Sequence, residues 1–360
     1  AVAAAGHFDD RPALPPAPQH AAPITKACGL LSHPPPLRGV DDGSPGPGTD
    51  TNLGGGGASG SGSGWRDYDD DGVARASGQF AVPDVVTNAT AGVLKTLLWP
   101  WPQRVTAHAA DDAAPVMVLS PVLEFRLSPL AAAAVGGDAD AWPAGQSDAE
   151  RQRLLRAMGR TCGELLAAGP ELPLDAGHMI HAVEVVVRRS DGRGGAPHAP
   201  QFGANESYTL TVQAPVSRLE ADTLWGALRG METLTQVVSP RGAIYGGRIR
   251  IDDAPRFPWR GFMIDTARHW LPVPTILRAV DAMAASKLNV LHWHIMDAQS
   301  FPLELPSRPE LAQRGAFASG QTYTAADVAT IVAHAADRGV RVVPEVDVPA
   351  HTASWGLAFP

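Results

Sequence analysis

Between Arg260 and Trp355 the sequence repeats one unit: an apolar run, a polar turn, a helical pattern, and another apolar run. Gly261 to Asp265 is a short apolar run ending in a carboxylate. Pro274 to Lys287 places Ile276, Leu277, Val280, Met283 and Ala284 at helical spacing. Leu288 to Ile295 reads as the next strand, Thr324 to Arg338 as the next helix, and Val340 to Val346 as a third strand. Strands apolar on both faces, alternating with helices of this length, predict a parallel sheet covered by helices. In a βα-barrel the C-terminal ends of the strands line one mouth, where the chemistry is done. All three strands end in polar residues: Asp265 with Arg268, His294 with Asp297, and Asp347 with His351.

The chain before this unit divides in two. Residues 1–94 hold Pro34-Pro35-Pro36, a Gly-rich run from Gly43 to Gly48 and the segment GGGGASGSGSG from Gly54 to Gly64. Such a segment cannot bury enough apolar surface to offset chain entropy, so it is expected to be a disordered linker. Residues 95–254 carry strand-like runs at Val116 to Leu119, Leu123 to Leu127, Val183 to Val187 and Ser207 to Val212, and helical patterns over Ser147 to Ala168 and Leu219 to Val238. With no parallel-barrel rhythm, this reads as a small α+β domain that supports the C-terminal unit. Residues 255–360 then form a partial (β/α)8 barrel with its first three strands only, since a full barrel needs eight units and ~250 residues. Thr324 with Asp327 forms a capping-box-like helix start, and Arg338-Gly339 closes that helix.

The formal net charge of −8 and the absence of a basic patch argue against nucleic acid as a partner. No apolar run reaches the ~18 residues a membrane span requires. The first residue is not Met and no signal pattern follows it, so either a leader was removed or the sequence is a fragment. Cys28 and Cys162 lie far apart in sequence and are expected to be free thiols, Cys28 falling in the linker. Asn88-Ala89-Thr90 and Asn205-Glu206-Ser207 fit the N-glycosylation acceptor pattern.

Several polar residues at the strand ends admit two readings. Arg268 is either a ligand-gripping fork or a loop staple paired with Asp265, and both can hold together. His292 and His294 share a strand face, so an H-x-H metal site is open, but it needs further ligands from later strands. Trp293 points to the opposite face and reads as core; Trp355 is either core or a ring for stacking on a ligand.

The segments RGFMIDTARHWLPVPTILRAVDAMAASKLNVLHWHIMDAQSFPLEL and TYTAADVATIVAHAADRGVRVVPEVDVPAHTASWG resemble the first part of the catalytic barrel of family 20 glycoside hydrolases, the β-N-acetylhexosaminidases. Upstream, SYTLTVQ (Ser207 to Gln213) and TLWGALRGMETLTQVV (Thr223 to Val238) resemble the small α/β domain that precedes the barrel in that family, and LLWPWPQRV (Leu97 to Val105) resembles its opening.

The resemblance implies removal of terminal N-acetylglucosamine or N-acetylgalactosamine from glycans. Configuration is retained because the sugar's own 2-acetamido group acts as nucleophile. It implies no cofactor and no metal, a lysosomal, vacuolar or secreted location, and it leaves room for a homodimer of the full-length protein. Arg268, beside Asp265, is implied to hold the 3- and 4-hydroxyls of the terminal sugar. Asp297 and His351 carry over as a carboxylate–imidazole pair that contacts the acid, with Asp347 as a further active-site carboxylate. The family's acid/base Glu and its partner Asp form an adjacent pair at the end of the fourth strand, and this sequence contains no such pair. The 360-residue chain is therefore expected to be an inactive fragment with open strand edges, at most a weak glycan binder. A metal-dependent barrel hydrolase is the remaining alternative. Ala298, Leu303 and Ala350 depart from the acidic residue, aromatic and glycine common at those positions.

Overall fold

The computed structural model describes residues 29–31, 94–108, 116–128, 148–167, 178–188, 200–239 and 242–360. These form two sheets, each with its own buried apolar cluster. The first sheet contains β1 (Gly29–Leu31), β2 (Arg104–His108), β3 (Val116–Leu127), β4 (Met179–Val187), β5 (Tyr208–Val212), β6 (Val216–Ala221), β7 (Ala243–Tyr245) and β8 (Arg248–Asp253). Its order is β1-β3-β4-β6-β5-β8-β2, with β7 pairing β3. β1, β3, β4 and β6 run parallel to one another, whereas β5, β8 and β2 add antiparallel pairs. The result is a mixed α/β layer.

Helices α1 (Asp148–Ala167) and α2 (Leu224–Val237) pack on this sheet and on each other. Leu154, Met158, Cys162 and Leu165, spaced at three and four residues, are the buried stripe of α1. Thr223 caps α2 by accepting the Gly226 amide through its hydroxyl. The helical pattern expected from Leu219 begins later, because Leu219 to Ala221 close β6 with alternating burial. α2 lies so close to β5 that a methyl group on Gly226 would collide with the Ser207 carbonyl.

Two further expectations change. Val116 to Leu127 is one strand of 12 residues instead of two runs; a register shift between Leu119 and Glu124 accounts for the interruption in its pattern. Cys162 is disulfide-bonded, not a free thiol. The sequence holds one other cysteine, Cys28, which lies outside the described residues, as do most of residues 1–94 and the acceptor triplet at Asn88. Within that expected linker, β1 pairs with Glu124 to Arg126 of β3.

The second sheet is wholly parallel, ordered β11-β10-β9, from β9 (Gly261–Asp265), β10 (Val290–Met296) and β11 (Arg341–Val346). α3 (Val273–Ala285) joins β9 to β10, while α4 (Glu310–Gly315) and α5 (Ala325–Ala336) lie between β10 and β11. Thr324 and Asp327 form the expected capping box of α5. Gly339, at a φ of +67°, turns the chain out of that helix into β11. One face of the sheet, through Ile264, Leu291 and Trp293, packs on Ile276 and Val280 of α3 and Ile331 of α5. The alternate residues look the other way, and Met263 among them is 52% exposed.

Charged side chains join the two sheets. Arg153 and Arg156 of α1 reach the Asp337 carboxylate at 3.2 and 2.7 Å, and Arg160 donates to the Asp337 carbonyl at 2.6 Å. Deeper in the seam, Glu206 accepts from Arg229 at 2.7 Å, Arg260 at 2.5 Å and Asn289 at 3.0 Å. This seam fixes the N-terminal ends of β9 and β10 against α2, leaving their C-terminal ends open.

Candidate active site at the strand C-termini

Register places Asp265, His294 and Glu345 side by side across β9, β10 and β11. Partners in a parallel ladder point to the same face, so these three groups form one polar row on the face turned away from the helices. Just beyond the row, the β10 chain turns through Asp297, whose amide donates to the Ser300 carbonyl at 3.0 Å. That turn brings the Asp297 carboxylate back over the row.

Asp297 is the centre of the cluster. Its side chain is fully buried, yet it meets four donors. Oδ2 is ion-paired with Arg268 Nη2 at 2.5 Å and accepts from His294 Nε2 at 2.8 Å; Oδ1 accepts from the Ala298 amide at 2.5 Å and His351 Nδ1 at 3.0 Å. Burial alone would raise this carboxyl. The bonds from His294, Ala298 and His351 and the charge of Arg268 overcome burial and hold it at about 2.

His294 lies between two carboxylates. Its Nδ1 is 2.8 Å from Glu345 Oε2 and its Nε2 is 2.8 Å from Asp297 Oδ2. A ring with an anion at each nitrogen donates from both, which requires the imidazolium. Its proton affinity is accordingly raised: burial opposes this, and the Glu345 and Asp297 bonds outweigh it. The Glu345 carboxyl is lowered by its hydrogen bonds to His294 and to His292, the latter at 2.6 Å.

Of the two readings of Arg268, the structure shows the staple. Nη1 grips Asp265 at 2.7 Å, Nη2 grips Asp297, and Nε donates to Gln299 Oε1 at 3.0 Å. Asp265 also accepts the amides of Ala267 and Arg268. Burial would raise its carboxyl, but these bonds and the guanidinium hold it below the usual range. His351 reaches Asp297 from the loop after β11 with a φ of +59°, a left-handed conformation that a residue with a Cβ adopts only at a cost. Its Nε2 stands 3.9 Å from Asp347, too far for a hydrogen bond, so Asp347 adds charge to the group without closing a contact.

The structure thus brings together Asp265, Arg268, Asp297, Asp347 and His351, all named from the sequence. It joins to them His294, named from the sequence as a strand-end residue and a possible metal ligand, and adds Glu345 and Gln299. The alternation of β11 predicts the face of Glu345, but its partnership with His294 depends on interstrand register. Trp293 is core, donating to Thr266 at 2.8 Å. Trp355 meets Phe301 edge-on at 5.8 Å between ring centroids and packs against the second cluster.

By donor type, His294, Asp297 and Asp347, with ligand atoms within 4.8 Å of one another, could hold a metal. The surroundings fit one poorly. Asp297 is already fully bonded, and the positive charge a cation would bring is supplied by Arg268. The H-x-H pair does not converge on an open position either; both imidazoles converge on Glu345.

A parallel βα unit with an acid–imidazole–guanidinium cluster at its strand C-termini, preceded by a mixed sheet, is a mixed α/β architecture whose three-stranded sheet resembles part of a barrel. Comparison with known proteins gives the family. Residues 257–360 match the glycosyl hydrolase family 20 catalytic domain, and residues 98–237 match the β-acetyl hexosaminidase-like domain. The chain belongs to glycosyl hydrolase family 20. It is 50% identical over 159 residues to the β-hexosaminidase subunit beta of Mus musculus, an alignment covering 44% of this chain and 30% of that protein. It is 37% identical over 268 residues to the subunit alpha of Bos taurus, covering 74% of this chain and 47% of that protein. The Flavobacterium johnsoniae chitobiase structure superposes with a TM-score of 0.55 at 28% identity, over 73% of this chain and 36% of that one. The chain therefore spans less than half the length of these relatives.

Proposed function

We propose that this chain contributes the sugar-holding part of a β-N-acetylhexosaminidase site, one that removes terminal N-acetylglucosamine or N-acetylgalactosamine from glycans. The observation that carries this reading is the Arg268 fork held between Asp265 and Asp297 at the ends of two parallel strands. A planar guanidinium fixed by two carboxylates presents its remaining N–H groups in one plane, the geometry that suits two adjacent sugar hydroxyls. Asp297 and His351, with Asp347 nearby, form the anionic wall against which an acid/base carboxylate is positioned. The substrate's 2-acetamido group is the nucleophile on this reading, so no cofactor is needed.

Residues 95–254 are then the supporting α+β domain, and 255–360 the opening strands of a (β/α)8 barrel. The exposed inward face of β9 to β11 supports this, because a parallel sheet is ordinarily covered on both sides. On this reading the proton donor lies outside the residues of this cluster, so these residues alone do not turn over substrate. A lysosomal, vacuolar or secreted setting fits a cluster whose charges are best matched in mild acid. Among the described residues no helix is long and apolar enough to cross a membrane.

Hydrolysis of a chromogenic N-acetylglucosaminide tests the reading. The 360-residue chain is compared with a chimera completed by the C-terminal part of the bovine relative. Turnover by the chimera alone, abolished by Arg268→Ala, is expected. Turnover by the short chain would place the proton donor among Asp297, Glu345 and Asp347. A chimera that folds and turns over undiminished with Arg268→Ala would overturn the role of the fork.

A further inference from the structure

The acceptor triplet Asn205-Glu206-Ser207 has a place in the fold that the sugar-processing site does not use. Asn205 is exposed, Glu206 is buried in the seam between the sheets, and Ser207 leads directly into β5. The alternation matters: the middle residue of the triplet faces inward while the acceptor faces solvent. We infer that Asn205 is an N-glycosylation site and that its glycan projects from the side of the molecule opposite the catalytic cluster.

Four observations support this. The Ser207 hydroxyl donates to Asn205 Oδ1 at 2.6 Å and the Ser207 amide donates to the same oxygen at 2.9 Å, so the amide oxygen is turned back onto the chain. Asn205 Nδ2 therefore points outward, where its contact is Asp222 Oδ2 at 3.2 Å. That contact uses one of two N–H groups. A glycosylated amide keeps one N–H, so the folded structure accommodates the sugar without losing the bond to Asp222. The loop itself is held, because Thr223 Oγ1 donates to the Asn205 carbonyl at 2.5 Å.

Room and distance also fit. A cavity of about 470 Å³ opens beside Ser207 and Asp222, lined also by Arg104, Arg188 and Glu220. Its charged and hydroxyl groups offer donors and acceptors to the first sugars. Glu206 binds Asn289 at the start of β10, while His294 lies at that strand's far end. At about 3.3 Å per residue the two points are separated by roughly 16 Å, so a bulky glycan leaves the cluster clear.

The reaction joins Asn205 Nδ2 to the anomeric carbon of a lipid-diphosphate-linked oligosaccharide. The C–N bond forms as the bond from that carbon to the diphosphate oxygen breaks. The lipid diphosphate leaves, and the displaced amide proton passes to a base of the transferring enzyme. The acceptor is modified as the chain emerges; the folded structure decides only that the product is tolerated.

The test is secretion of the 360-residue chain, behind an added signal peptide, from a eukaryotic host, followed by peptide mass analysis after amide-cleaving deglycosylation. Occupancy at Asn205 is expected, read as glycosidase-dependent deamidation of its peptide. It is lost in both Asn205→Gln and Ser207→Ala and kept in Ser207→Thr, which preserves the hydroxyl. The peptide bearing Asn88 is scored separately. An unmodified Asn205 peptide in secreted protein would overturn the inference, as would modification that survives Ser207→Ala.

Discussion

Arg268 Nη2 lies 2.5 Å from Oδ2 of Asp297, a carboxylate with no exposed surface. Through Nη1 the same guanidinium also holds Asp265, so one side chain ties the end of β9 to the end of β10. The third strand joins through Glu345 on His294 and through His351 on Asp297. Three strands with no covalent link near these ends are thereby held at a common node, and the node is Asp297.

Asp297→Asn tests the node. The amide is isosteric but carries no charge, and its NH2 group faces donors. The His294 imidazolium keeps Glu345 and loses its second anion, so its titration should fall toward the ~6.5 of an ordinary histidine. A histidine NMR titration reads this directly. Mispaired buried donors should also cost about 1–3 kcal/mol in denaturant unfolding. An unmoved His294 titration would show that Glu345 alone holds the proton.

The pH dependence rests on the same groups. Asp297 titrates at about 2 in the folded state, below its ordinary value. Its contribution is present above ~3.9 and lost as pH falls toward 2. His294 is raised, so its contribution is complete below ~6.5 and lost as pH rises through its folded value. Both are present together between roughly pH 4 and 6.5. Thermal melts across pH should show destabilising limbs on both sides of this window, and His294→Gln should flatten part of the alkaline limb.

Much of this architecture was legible in the sequence because its signals are local. The 3.6-residue stripe of α1, the capping box at Thr324 and the apolar runs of β9 to β11 depend on neighbours a few positions apart. The strand-end residues Asp265, Arg268, Asp297 and His351 could be named because strand ends of a βα unit converge. The features that were not legible depend on pairing. Glu345 opposes His294 only in the register that aligns Trp293 with Pro344. The three-residue β7 is too short to show a period and is fixed by its pairing with β3. The disulfide at Cys162 reverses the free-thiol expectation, since distance along the chain says nothing of proximity after folding.

A second pH-sensitive group lies in the seam between the sheets. Glu232 on α2 is pushed up to about 7, first by burial and then by the nearby Glu164 charge; Gln236, Lys287 and Arg229 oppose the shift. A raised carboxyl favours the folded state at low pH, and that contribution is lost between about 4.5 and 7. Glu232→Gln removes the titration while keeping the shape and the pairing with Gln236. At neutral pH it should stabilise the protein by about 2 kcal/mol, and at acid pH it should do little. Equal effects at both extremes would place the titrating group elsewhere.

The deepest charges of the seam set the last expectation. Arg229 and Glu206 have side chains only 2% and 4% exposed, and Arg229 also donates to the Gly339 carbonyl at 2.6 Å. The pair is asymmetric: Glu206 has a second cation in Arg260, whereas among the described residues no second carboxylate bonds to Arg229. Glu206→Ala should therefore cost about 3–5 kcal/mol, because it leaves a buried guanidinium uncompensated. Arg229→Met should cost less, since Glu206 keeps Arg260 and Asn289. The double variant should fall well short of the sum of the two, a coupling that chemical denaturation of the four proteins measures. Additive costs would mean that Glu206 acts through Arg260 alone, with Arg229 holding the seam only through Gly339.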